Sequence, residues 1–134
     1  MKIYNVQIKT MEKRRSIENG WIEIENGKII AVEEGSPDVV GTEDLDGQGK
    51  LLIPGFIDAH THLGIIENGI DFEGDDCNEA TDPFTPQLRT IDGINPMDRC
   101  FEEAYKRGIT SAVVAPGSAN PCGGEIIAVK TYGR

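Results

Sequence analysis

The chain has 134 residues, of which 38% are hydrophobic and 27% charged, with a formal net charge of −10. This is the composition of a globular protein rather than a disordered one, and the length suits one domain or parts of two. The acidity argues against nucleic acid and anionic membranes as partners, and no apolar run approaches the roughly 20 residues of a membrane span.

The first 55 residues read as short strands and tight turns. Tyr4, Val6 and Ile8 alternate with polar residues, the period of a half-buried strand. Ile22 and Ile24 alternate with Glu23 and Glu25, and Asn26-Gly27 then separates them from Ile29, Ile30 and Val32. An Asn-Gly pair between two apolar runs predicts a hairpin, because both turn residues must accept positive φ. Residues 41–50 are polar and turn-rich, and Leu51-Leu52-Ile53 is a short strand stopped by Pro54-Gly55. These elements predict a small antiparallel sheet layer.

From residue 56 the character changes. Phe56 to His60 is an apolar run with a polar end, as expected of a buried strand. Residues 64–94 are rich in Gly and Asp and long for a structureless loop. Asn95 is the predicted N-cap of a helix with Pro96 in its first turn. Met97, Cys100, Phe101, Ala104 and Tyr105 would form its buried face, and Gly108 its stop. Ile109 to Ala115 is β-branched and apolar, a second strand. Strand, helix and strand in this order predict a βαβ unit with parallel strands, covered on both faces. Ile126, Ile127 and Val129 open a further element. The predicted class is mixed α/β, with one domain over 1–55 and another over 56–134.

The only two histidines, His60 and His62, stand at i and i+2 behind Asp58. Alternate residues of a strand share a face, so the two imidazoles can converge on one metal ion. Imidazole suits zinc, iron, nickel or copper. Asp58, on the same face, is placed to hold an imidazole N–H, as carboxylates beside metal-bound histidines do. A bare H-x-H at a strand end is more often ordinary hydrogen bonding than a ligand pair. Here the surrounding run decides for ligation.

Leu51-Leu52-Ile53-Pro54-Gly55-Phe56-Ile57-Asp58-Ala59-His60-Thr61-His62 resembles the signature of the amidohydrolase superfamily, P-G-F-x-D-x-H-x-H, and Asp46 to Lys50 resembles its approach. Asn78 to Arg89, Ile91 to Pro96, Gly108-Ile109-Thr110 and Pro116 to Pro121 with Gly123-Gly124 resemble a subgroup related to imidazolonepropionase. The resemblance implies a small β-sandwich, contributed here by 1–55, followed by the first βαβ unit of a (β/α)8 barrel over 56–134. His60 and His62 would be metal ligands at the C-terminal end of the first barrel strand, with Asp58 as their outer partner. The implied cofactor is a divalent metal, zinc first, with iron, nickel or manganese as alternatives. The implied activity is hydrolysis of the C–N bond of a small amide or cyclic amide by metal-activated water.

A complete barrel of this kind needs about 250 residues. The family's further ligands, a carboxylated Lys or a Glu and two more His, and its proton-shuttling Asp, come from later strands, and this sequence has no third His. A catalytic zinc normally has three protein ligands and a water. The expectation is therefore an N-terminal portion of an amidohydrolase, with no catalytic residue of its own, inactive alone and prone to self-association through bare strand edges. The alternative is a truncated, non-catalytic relative with a binding or structural role.

Other features carry less. Asp71, Glu73, Asp75, Asp76, Glu79 and Asp82 form an acidic stretch, but its Gly74 is misplaced for a calcium loop. A solvated loop is the simpler reading, with Glu79 a substrate-facing candidate. Arg89 could grip an anionic substrate group, although a surface ion pair is the commoner fate. Cys77, Cys100 and Cys122 are odd in number and lack a C-x-x-C pair, which predicts free thiols in a reducing cytoplasm. The first residues are charged without an apolar segment, so no secretory signal is expected.

Overall fold

A computed structural model describes every residue except Arg14 and Arg134. The chain divides into two compact units, Met1–Pro54 and Gly55–Arg134. Among the described residues no helix is long and apolar enough to cross a membrane.

The first unit is a four-stranded sheet of β1 (Lys2–Lys9), β2 (Ser16–Glu25), β3 (Lys28–Glu34) and β4 (Leu45–Leu52), in the order β3-β2-β1-β4. The β2–β3 hairpin turns at Asn26 and Gly27, with φ of 50° and 73°, as the two-residue turn requires. The expectation of a purely antiparallel layer is corrected at β4, which runs parallel to β1. Parallel neighbours need a long connection, and the polar stretch between β3 and β4 supplies it. Asp46 steadies a register slip in β4 by accepting from the Gln48 amide and the Asn5 side chain, both at 2.8 Å. Val6, Ile8, Ile17 and Ile22 form the core, each side chain worth about 1.5–3 kcal/mol of burial.

The second unit has a three-stranded sheet in the order β5-β6-β7, from β5 (Phe56–Thr61), β6 (Ile109–Val114) and β7 (Ile127–Lys130). β5 and β6 are parallel, as the βαβ reading required, and β7 returns antiparallel to β6. The central strand is the best buried, with Ala112 at 1% and Val114 at 0% exposure. Coverage of both faces is not complete, for Phe56 and Ile57 remain 58% and 72% exposed.

Two short helices, α1 (Thr90–Gly93) and α2 (Arg99–Lys106), lie between β5 and β6. The expected cap at Asn95 is corrected to Asp98, whose carboxylate accepts from the Cys100 amide at 3.0 Å. Asn95 instead accepts from the Met97 amide and closes a turn before the helix. This delay leaves Met97 outside the buried face, at 86% exposure, while Phe101 is buried. Glycine at 108 ends the segment with φ of 87°.

The stretch 64–94 is built rather than structureless. Residues 65–76 close on themselves through Glu67 N–H to Gly74 O at 2.8 Å and Asp76 N–H to Ile65 O at 2.9 Å, around a 3-10 turn at Asp71–Gly74. Phe84 and Arg89 then bridge in parallel to Cys122 and Glu125. Buried Thr85 and Thr90 donate their hydroxyls to the carbonyls of those same two residues. Pairing with residues 122–125 satisfies backbone groups that the Gly- and Asp-rich sequence alone would leave to water.

Candidate metal site at the ends of the parallel strands

Because β5 and β6 are parallel, their C-terminal ends lie at one edge of the sheet. His60 is the penultimate residue of β5, and His62 follows the strand's last residue. The pairing steps from Asp58–Ala112 to Thr61–Val114, so Ala59 and His60 together face Val113. Such irregularities re-aim side chains at strand ends. The two imidazoles lie 5.5 Å apart between centroids, at 86° to one another.

The end of β6 fixes His62. Ala115 N–H donates to Thr61 O at 3.0 Å, and the Thr61 hydroxyl donates to Val113 O at 3.0 Å. His62 Nδ1 lies 2.7 Å from the Ala115 carbonyl oxygen. A carbonyl can only accept, so Nδ1 is the donor, and in the neutral ring Nε2 then keeps its lone pair. Metal-ligating histidines commonly use this arrangement, with one nitrogen tied back and the other offered to the ion. His60 is exposed and His62 half-buried.

Asp58 behaves differently from the expectation. Its carboxylate accepts from the His60 backbone amide at 3.2 Å rather than from an imidazole. The ring partner of His62 is thus a backbone carbonyl, which no reading of side chains could find. The parallel register of β6 on β5 was the only available clue.

The remaining candidates lie in loops. Glu79 accepts from the Thr81 amide and hydroxyl, each at 2.7 Å, and these bonds hold its carboxyl below the usual range. Arg89 meets Asp92 with both arms, Nε at 3.0 Å and Nη2 at 2.8 Å. The pairing lowers the Asp92 carboxyl and raises the guanidinium. Among the described residues, no hydrogen bond or ion pair joins Glu79 or Arg89 to the two histidines. The acidic stretch gathers no metal cage either, since no group of three or more His, Cys, Asp and Glu side chains could hold an ion among the described residues. All three cysteines are free.

Two neighbouring imidazoles, one of them tied back through Nδ1, suit part of a metal's ligand set, at the sheet edge where parallel α/β proteins place their sites. Comparison with known proteins identifies the class. No family model matches the chain. An amidohydrolase of Hapsidospora irregularis, tasK, is 37% identical over 118 residues, 83% of this chain and 12% of that protein. Imidazolonepropionase of Caldanaerobacter subterraneus is 40% identical over 53 residues, 40% of this chain and 13% of that protein. A crystal structure of an amidohydrolase from Thermotoga maritima superposes on 98% of the chain with a TM-score of 0.85 and 39% identity, covering 34% of its own length. A prolidase structure aligns with 83% of the chain at a TM-score of 0.51 and 18% identity, a likeness of fold alone. The chain belongs to the amidohydrolase superfamily, whose N-terminal portion it matches. It spans only about an eighth of the curated relatives' length and a third of the solved one's.

Proposed function

We propose that this chain provides the first two metal ligands, His60 and His62, of a hydrolase that cleaves the C–N bond of a small amide or cyclic amide. The observation that carries this reading is the His62 ring, tied through Nδ1 to Ala115 with its centroid 5.5 Å from that of His60. A divalent ion held there, zinc for preference over iron, nickel or manganese, would activate water and polarise the substrate carbonyl. The chain's own part is to bring two imidazoles together at the strand end and to orient that of His62. Asp58 braces the His60 backbone, and Thr61 locks the strand end that carries both rings.

In this reading β5, α2 and β6 are the first βαβ unit of a (β/α)8 barrel, and the sheet of β1 to β4 is one layer of a β-sandwich. Two histidines leave a catalytic zinc one protein ligand short. The family relatives are several times longer, and we place the further ligands in the part of their length that this chain does not span. The 134 residues by themselves are then inactive. Arg89 would take an anionic substrate group in competition with Asp92, which holds its Nε and Nη2, whereas Glu79, bonded to Thr81 through Oε1, would offer Oε2 to a substrate donor.

Zinc titration followed by the imidazole NMR signals tests the reading. Both histidines should respond together, and His60→Ala or His62→Ala should weaken binding beyond the roughly 10–100-fold expected for loss of an outer partner. Independent responses of the two rings, or unchanged affinity in either variant, would refute the shared site.

A further inference from the structure

The carbonyl that orients His62 belongs to a segment that is itself clamped, and the clamp lies in the loop after β5. Ala115 is followed by Pro116 and Gly117. Gly117 N–H donates to Cys77 O at 2.8 Å. The Asn78 side chain lies flat against Gly117, so close that a Cβ there would stand 2.5 Å from both its Oδ1 and its Nδ2. The same Oδ1 accepts from the Ala119 amide at 3.2 Å. One residue further on, Asn120 Nδ2 reaches the carbonyls of Glu79 at 2.9 Å and Asp82 at 3.1 Å. Residues 115–120 thus form a short strap fastened at several points to residues 77–82.

We infer that Asn78 is a positioning residue for His62, acting through this strap on the Ala115 carbonyl. Without the Asn78 Oδ1 acceptor the Ala119 amide is released, and the Pro116-Gly117 segment is held to residues 77–82 only by the Gly117–Cys77 bond and the Asn120 side chain. The carbonyl just before that hinge is the only observed partner of His62 Nδ1 among the described residues. The strap therefore sets which ring nitrogen carries the proton, and with it which one is free. A glycine at 117 is required because any side chain would occupy the space of the Asn78 amide. The consequence for metal binding rests on the proposed function, whereas the ring orientation does not.

The test is long-range 15N NMR of the histidines in the metal-free 134-residue chain, at a pH where the imidazoles are neutral. Wild type should show His62 mainly protonated at Nδ1. Asn78→Ala should shift the tautomer ratio toward Nε2 by roughly fivefold, the ratio one lost hydrogen bond represents. Asn78→Asp keeps the acceptor for Ala119 and should retain the wild-type ratio, which also controls for folding. Gly117→Ala, which displaces Asn78 sterically, should reproduce the Asn78→Ala shift. An unchanged tautomer in Asn78→Ala, or an equal loss in Asn78→Asp, overturns the inference. A zinc addition to the same wild-type sample reads the metal site separately: joint shifts of both rings support the proposed function, independent shifts refute the shared site, and either leaves the tautomer result standing.

Discussion

Cys77 shows how a single buried group couples this fold to pH. Burial, and then the negative charge of Asp75, push its thiol above the ordinary value. The unfolded thiol consequently ionises first as pH rises. The stability it protects is full below the ordinary thiol pKa of about 8.5 and is lost as pH climbs through the raised folded value. Urea midpoints should fall between neutral and alkaline pH, and Cys77→Ala should fall less steeply. Gly64 is a second sensitive position, with φ of 74° and with a Cβ that would stand 2.9 Å from both Asn95 O and Phe101 Cε2. Gly64→Ala should destabilise by about 1–3 kcal/mol in urea unfolding, since backbone strain and overpacking act together there.

At the scale of elements, α2 depends on its cap. Asp98 is 7% exposed, one oxygen taking the Cys100 amide and the other without a partner. Asp98→Ala should cost about 1 kcal/mol of stability, and Asp98→Ser, which keeps a capping oxygen, much less. Thermal melts of the two variants, compared with wild type, check the difference. Local patterns account for most elements that were legible beforehand: alternation in β1 and β2, the Asn26-Gly27 turn, and the β-branched run of β6. The order of β5, helix and β6 also made their parallel pairing readable. Partnerships between distant segments were not. The parallel seating of β4 on β1, the bridges from 84–90 to 122–125, and the shift of the helix cap from Asn95 to Asp98 each depend on a neighbour that no local window contains. The site divides the same way, with His60 and His62 visible as residue types and the Ala115 carbonyl invisible as a backbone atom.

Over the whole molecule, apolar side chains remain at the surface in number. Phe56 and Ile57 on β5, Ile29 and Ile30 on β3, and Leu51 on β4 are each more than half exposed. Isolated exposed hydrophobes are ordinary, but all five stand on edge strands, which favour association when apolar and unpaired. Sedimentation should show concentration-dependent self-association that persists in high salt, and Ile57→Thr should reduce it. A monodisperse monomer at all concentrations would mean that these side chains are too scattered to act together.

The hold on His62 also bears on how such a site endures sequence drift. Its partner is a main-chain oxygen, present whatever amino acid stands at 115, so selection need not preserve an alanine there. What must persist is the path of the chain that delivers that oxygen. Related sequences would then differ freely at this position, and a survey of invariant letters would pass over one of the atoms that orients the ring.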